Sequence, residues 1–215
     1  MRRAEKVGKI DARKGEAGRL MSILDIVKGS GLRTAARVRH KGKRVSEVLE
    51  SHDRFVRGDE TGTRADFEGA DLGRVDFRRA NLAYANFRGA NLDGASLREA
   101  RLSSADLSNA RLRRADLRKA DLTEANLSNA DLTESQIGGA ELFRADLSSA
   151  NLRGADLTAS NLRDAKVTGA DFRGATLKTT ILRETKLDGA DLSGVDLSTT
   201  LLPRDYIANL PKKPE

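Results

Sequence analysis

From Ala65 to Arg204 the large apolar residues return at every fifth position, a period that fits neither the 3.6 of a helix nor the 2.0 of a strand. Written in register, the segment is 28 consecutive quintets without insertion, such as Ala105-Asp106-Leu107-Ser108-Asn109 followed by Ala110-Arg111-Leu112-Arg113-Arg114. The first position is Ala in 21 of them and the third is Leu in 22, the rest of the third positions being Phe67, Phe77, Phe87, Ile137, Val167 and Phe172. Such a chain must turn a corner once per quintet.

If the large third residue and the small first residue both point inward, four quintets close a square. A unit of that kind buries its apolar side chains only by stacking on the next, so the pattern predicts a solenoid. The exceptional corners are all small or β-branched: Val75, Ser135, Ser160, Thr180, Thr185, Val195 and Thr200. Positions two, four and five then face water. They are mostly Asp, Asn, Arg, Ser, Thr and Gly, residues that suit tight turns and bond to nearby backbone.

Other patterns flank the repeat. Val45, Val48, Leu49, His52, Phe55 and Val56 form one apolar stripe at helical spacing, which predicts a three-turn helix with Ser46 as N-cap and Glu47 in its first turn. Through Val48, Leu49, His52 and Phe55 this helix is expected to cover Phe67 and the amino-terminal end of the column, making His52 a capping-interface residue. Residues 35 to 46 read equally as a hairpin about Lys41-Gly42 or as helix. A short amphipathic helix is predicted over Leu20, Ile23, Leu24 and Val27, ending at Gly29-Ser30-Gly31. At the other end Pro203 stops the ladder, and Tyr206, Ile207 and Leu210 are expected to fold over it as the carboxy-terminal cap. The expected divisions are a basic arm (1 to 44), a capping helix and linker (45 to 64), the repeat (65 to 204), and a cap and tail (205 to 215).

The motif A-(D/N)-L-x-x over about two thirds of the chain resembles the pentapeptide repeat family. Leu49-x-x-His52-x-x-Phe55 shortly before Arg64-Ala65-Asp66-Phe67 likewise resembles the leader found in many bacterial members with a helical amino-terminal cap. The resemblance implies an all-β, right-handed quadrilateral β-helix, here of about seven coils and about 34 Å long at the usual strand spacing. It also implies that one role is available: some members are DNA mimics that occupy the DNA-binding saddle of type II topoisomerases and protect against quinolones.

Composition removes most chemistry. The chain has no Cys and only two His, His40 and His52, at a spacing that fits no zinc motif. Exposed carboxylates such as Asp116 and Asp121 follow the repeat; the second position is Asp in twelve quintets and Asn in six, so hydrogen bonding rather than charge is what it requires. A filled column leaves no small-molecule pocket, and no phosphate loop, nucleophile elbow or His-based triad is present. No catalytic residue, cofactor, metal or small-molecule substrate is therefore expected. The longest apolar stretch, Leu20 to Val27, is too short and polar to span a bilayer or serve as a secretory core, which points to a cytoplasmic protein.

Charge then separates the chain. Residues 1 to 44 hold 14 bases and four acids, whereas the repeat holds 20 bases and 21 acids. A DNA segment of the same length would present roughly 20 negative charges, so the repeat's net of −1 argues against mimicry. Arg78, Arg98 and Arg118 occupy one position in successive coils, with Arg111, Arg113 and Arg114 on the adjoining face. These six form a candidate patch for an anion or acidic partner, set against a solvated stripe neutralised by Asp76, Glu99 and Asp116. Tyr84, Phe143, Ile181 and Leu201 are apolar at positions expected to be exposed. Ile181 and Leu201, one coil apart, form a small apolar patch at the carboxy-terminal end, expected either to be covered by the tail or to serve as a homodimer contact. The reading is a non-enzymatic protein-interaction module with an unidentified protein partner; the alternative is a modulator of DNA gyrase, and a further alternative is binding of nucleic acid or an anionic membrane through residues 1 to 44.

Overall fold

Each quintet closes with a reversal of direction, and that reversal sets the architecture. In a computed structural model that describes residues 31 to 208, the first-position N–H donates to the third-position carbonyl of the preceding quintet, as Ala120 does to Leu117 at 3.0 Å. The fifth residue has a positive φ in every quintet from Gly69 to Gly194. A positive φ at the third residue of a four-residue turn is the mark of type II geometry, normally met by Gly or Asn. Here Arg114 (φ 56), Lys119 (φ 57) and Glu134 (φ 57) adopt it as well, at a cost on the order of 1 kcal/mol each.

The second-position side chain fixes the approach to that turn. Asp106 Oδ1 accepts the Ser108 N–H at 2.9 Å, and Asn126 Oδ1 accepts the Ser128 N–H at 3.1 Å. Asp and Asn therefore serve alike, through the same carbonyl-type oxygen.

Successive twenty-residue layers lie in parallel register. Single-residue bridges run from Asp66↔Asn86 through Asp171↔Asp191 at every quintet, have no step from Thr176 to Asp196, and resume at Ile181↔Leu201. Between layers the Leu117 N–H donates to the Gln136 carbonyl at 2.7 Å, and the Asp116 N–H to the Ala95 carbonyl at 2.9 Å. Inside, the third-position residues from Phe67 to Leu182 and nearly all first-position residues are buried. Each buried Leu contributes about 1.5–3 kcal/mol relative to exposure, so this column supplies most of the stability. The polar corners are satisfied: Ser135 Oγ and Ser160 Oγ donate to Leu132 and Leu157 carbonyls at 2.7 Å, and Thr180 Oγ1 reaches the Leu157 carbonyl in the layer below at 2.7 Å.

The expected all-β, right-handed quadrilateral β-helix is corrected by these elements. Among the described residues the named strands are β1 (Arg39–His40) and β2 (Lys43–Arg44), an antiparallel pair that neither closes nor curls, and the named α-helices are α1 (Val45–Val56) and α2 (Arg204–Ala208). Residues 65 to 201 form isolated bridges and turns, with no continuous strand. The physical reason is the short period: a two-residue turn and a corner leave one bridging residue per quintet, too few to extend.

Ahead of the repeat, Ala35–Arg37 form a 3-10 turn and β1 and β2 pair as Arg39↔Arg44 and His40↔Lys43. Lys41 (φ 47) and Gly42 (φ 80) connect them with the two positive φ values of a type I′ hairpin, so of the two readings open in the sequence the hairpin is the one formed. Helix α1 follows at once, and its N-cap is Arg44 rather than Ser46. The Val45 N–H is held by the Val38 carbonyl at 2.8 Å, which starts the helix two residues earlier than its side-chain chemistry suggests. Glu47 still acts in the first turn, its carboxylate accepting the Arg44 N–H at 3.0 Å. The compact unit containing the repeat begins at Leu32, inside the basic segment. The helix expected over residues 20 to 27 lies outside the described residues.

Candidate interaction surface

Register turns sequence neighbours twenty apart into surface neighbours, so rows of side chains can be read directly. The bridges Asp76↔Ser96 and Ser96↔Asp116 bring Arg78, Arg98 and Arg118 into one row. Their pairing depends on the residue two positions earlier. Arg78 grips Asp76 with two hydrogen bonds of 2.9 and 2.6 Å, and Arg118 grips Asp116 with two of 2.8 Å. Arg98 has Ser96 in that place and turns to Glu99 at 3.4 Å. These bonds raise the Arg78 and Arg118 guanidinium pKa values. Asp116 is pushed up by burial, but the hydrogen bonds from Arg118 outweigh this and hold it below the usual carboxylate range.

On the adjoining row Arg111 pairs with Asp93, Arg113 with Asp131, and Arg114 with Glu134 at 2.7 Å. All six arginines of the candidate patch thus face a carboxylate. The same device recurs where Arg79 meets Glu99 at 2.8 Å, Arg144 meets Asp164 at 3.0 Å, and Arg163 meets Glu184 at 2.7 Å. In one layer Asp171 is drawn down to about 2 by its hydrogen bonds with Arg173. Exposed pairs add only about 0–1 kcal/mol each, so their main effect is on the field: they leave a surface of alternating sign.

The apolar candidates are not one patch. Ile181 and Leu201 are bridged directly, with Leu201 43% exposed. Phe143 is half-buried, with the Arg144 guanidinium 4.9 Å over its ring, and lies two layers away by register. Tyr84, 53% exposed, lies three layers further.

At the amino-terminal end, Val48 and Leu49 are partly buried against the core and His52 is wholly buried. The Ala65 N–H donates to His52 Nδ1 at 3.0 Å, which ties α1 to the first quintet and leaves the neutral ring protonated on Nε2. Burial pushes the imidazole below its ordinary pKa, with a backbone interaction at Ala83 opposing it. Phe55 stacks on the His52 ring at 5.8 Å and remains 38% exposed. Below them Phe67, Phe77 and Phe87 form an aromatic cluster with centroids 5.1 to 6.1 Å apart. At the carboxy-terminal end Tyr206 lies half-buried in α2, while the Ile207 side chain and Leu210 lie outside the described residues.

Several contributors carried no signal that the sequence reading used. Val38 is buried beside the first layers, and Arg33 bridges Val75 and accepts the Asp76 N–H at 3.0 Å. Lys41 Nζ reaches Asp66 at 2.5 Å. At Gly62 a Cβ would stand 2.0 Å from the Phe55 nitrogen, so only glycine allows the linker to cross the end of α1. The hairpin turn was the one available clue to this packing.

Among the described residues no group of His, Cys, Asp and Glu is arranged to hold a metal, and no helix is long and apolar enough to cross a membrane. A shallow hollow of about 200 Å³ lined by Thr185, Leu187, Asp188, Asp205 and Tyr206 falls short of the roughly 300–1,000 Å³ of small-molecule sites.

No curated protein matches the chain. Among solved structures it is similar to HetL, a pentapeptide repeat protein involved in heterocyst differentiation regulation from the cyanobacterium Nostoc sp. strain PCC 7120. That match is 28% identical over 65% of this chain and 81% of that one, with a TM-score of 0.34. It is also similar to alr5209, a pentapeptide repeat protein from Nostoc PCC 7120, at 41% identity over 43% of this chain and 77% of that one, TM-score 0.40. A third is QnrB1, a plasmid-mediated fluoroquinolone resistance protein, at 25% identity over 69% and 89%, TM-score 0.45. The family model for pentapeptide repeats matches residues 63–99, 100–135, 140–178 and 160–198. With more than half its length matched by that model, and the five-residue period written into every turn and buried corner, the chain belongs to the pentapeptide repeat family.

Proposed function

We propose that this chain is an interaction module whose layered repeat presents fixed rows of side chains to a protein partner. Membership of a non-catalytic family makes it a non-enzymatic protein with a role in protein interaction; the partner is the proposed part. The observation that carries the proposal is the register: bridges at twenty-residue spacing hold positions two, four and five in rows, so a partner meets a preformed surface and little ordering entropy opposes binding. The paired arginine and carboxylate rows would supply orientation rather than raw affinity. Action in the cytoplasm belongs to the same proposal.

DNA gyrase is the partner class to test first, since the family resemblance supplies it and QnrB1 is described as a fluoroquinolone resistance protein. The charge balance sets how such binding would work. Because all six arginines of the candidate patch are matched by carboxylates, the repeat would engage by shape and local pairs instead of a DNA-like field. The test is a gyrase supercoiling assay with added protein, with and without a quinolone. Inhibition or protection near stoichiometric amounts supports gyrase as partner. No effect at large excess, with a discrete non-topoisomerase protein captured by the repeat from nuclease-treated extract, assigns the module to another partner. No specific protein captured in either format would overturn the proposal.

A further inference from the structure

Most arginines of the repeat, including all six of the candidate patch, face a carboxylate, but most cations of the hairpin ahead of it do not. Residues 31 to 44 contain Arg33, Arg37, Arg39, Lys41, Lys43 and Arg44 and no acid. Arg33 is paired with Asp71 at 3.7 Å, and Lys41 with Asp66. Arg37, Arg39, Lys43 and Arg44 are exposed, and none forms an ion pair among the described residues. Among the described residues Arg39 donates its guanidinium only to the Gly42 carbonyl, at 2.9 Å.

Two features make this more than a solvated charge run. The cations sit on a defined ribbon: Arg39 lies opposite Arg44 and His40 opposite Lys43. The ribbon is anchored below by buried Val38 and Val45 and by the Arg33 bridge to Val75. Like charges directly opposite on paired strands disfavour the fold, so Arg39 and Arg44 are held together at a cost that an external anion would remove.

We propose that the β1–β2 hairpin, through Arg37, Arg39, Lys43 and Arg44, is a docking site for the phosphate backbone of a nucleic acid. This surface is separate from the repeat rows and does not rest on their proposed role. A membrane surface is the less favoured anion. Val38 and the adjoining Val45 are turned into the core, Ala35 is partly buried against it, and no large apolar side chain is exposed on the hairpin to enter lipid. A ribbon of closely spaced cations instead suits a linear array of phosphates, and a contact of this kind carries no sequence preference.

The test uses the full chain and a labelled 20-base-pair duplex, with affinity followed by fluorescence anisotropy across a salt series. One variant carries Arg37→Gln, Arg39→Gln, Lys43→Gln and Arg44→Gln. A charge-matched control carries Arg2→Gln, Arg3→Gln, Lys6→Gln and Lys9→Gln. Losing four phosphate contacts should flatten the slope of log affinity against log salt by about 3–4 and weaken binding by about tenfold or more at 0.1 M salt. The control should keep most of both. Thermal melting guards against loss of fold: the hairpin variant should melt at or slightly above the parent temperature, because a like-charge pair has been removed. An equal loss in the two variants would reduce the binding to net charge and overturn the proposal. So would a hairpin variant that binds as the parent does, or a parent that binds anionic phosphatidylserine vesicles but not the duplex.

Discussion

The two ends of the repeat are built from the same quintets and finished differently. At the amino-terminal end Phe67, Phe77 and Phe87 are buried beneath α1 and the hairpin, and the first layer's backbone is bonded by Arg33 and by His52. At the carboxy-terminal end Leu187, Leu192, Leu197 and Leu202 are only partly buried, and no bridge joins Thr176 to Asp196. Leu72 and Leu82 are wholly buried where Leu187 and Leu192, at the same quintet position, are not. In a stacked repeat the stability of a layer comes from its neighbours as much as from its own sequence, and the amino-terminal end has been given a neighbour made of other elements.

The sharpest way to break the comparison is to empty equivalent sites. Phe87→Ala removes a wholly buried ring from the cluster and is expected to cost about 3–5 kcal/mol. Leu192→Ala, in a partly buried site, should cost less than half as much, both read from urea denaturation. Equal losses would mean that the ends are equally packed.

A glycine pair sharpens it next. Gly62→Ala forces a Cβ onto the Phe55 backbone and is expected to cost about 2 kcal/mol, in the range of overpacking. Gly194→Ala has open space around it and a φ of +74. Only conformational strain applies there, about 1 kcal/mol.

Acidification should act on one end before the other. Burial lowers the folded-state pKa of His52 and of His40, the latter helped by Lys41. Between the folded and unfolded values the unfolded chain binds more protons, so stability is full above about 6.5 and falls as pH drops through the folded values. The melting temperature is expected to decrease from pH 7.5 to 5.5, and the His40→Gln/His52→Gln variant to decrease less. Asp171, drawn down to about 2 by Arg173, contributes above the ordinary carboxylate range and loses its contribution only as pH falls toward 2. The smallest effect is expected from Arg114→Gln, which breaks an exposed pair with Glu134 and should leave the urea midpoint almost unchanged.

How much of this was legible depends on period. The five-residue repeat announced which residues are buried, because Ala and Leu recur where only inward positions tolerate nothing else. It also announced Ile181 beside Leu201. The backbone was less legible. Expecting strands from a stacked repeat overlooked that a turn in every quintet, with Arg, Lys or Glu at positive φ, leaves single bridges only. The same side chains that read as a basic patch, Arg78, Arg111, Arg113, Arg114 and Arg118, are paired through register, which their spacing contains but their charge does not. Outside the repeat the helical period marks α1 but not its packing. The N-cap at Arg44 and the closeness of Gly62 to Phe55 arise from tertiary contacts between the hairpin, α1 and the linker.

The central claim, that one end of the stack is closed by its own elements and the other is looser, is tested most directly by hydrogen exchange mass spectrometry on the intact chain at neutral pH. Amides between residues 65 and 160 should exchange most slowly, those of residues 38 to 56 should share much of that protection, and residues 186 to 202 should exchange fastest within the repeat. Protection that is uniform along the repeat, or greater at residues 186 to 202 than at 65 to 90, would contradict the account.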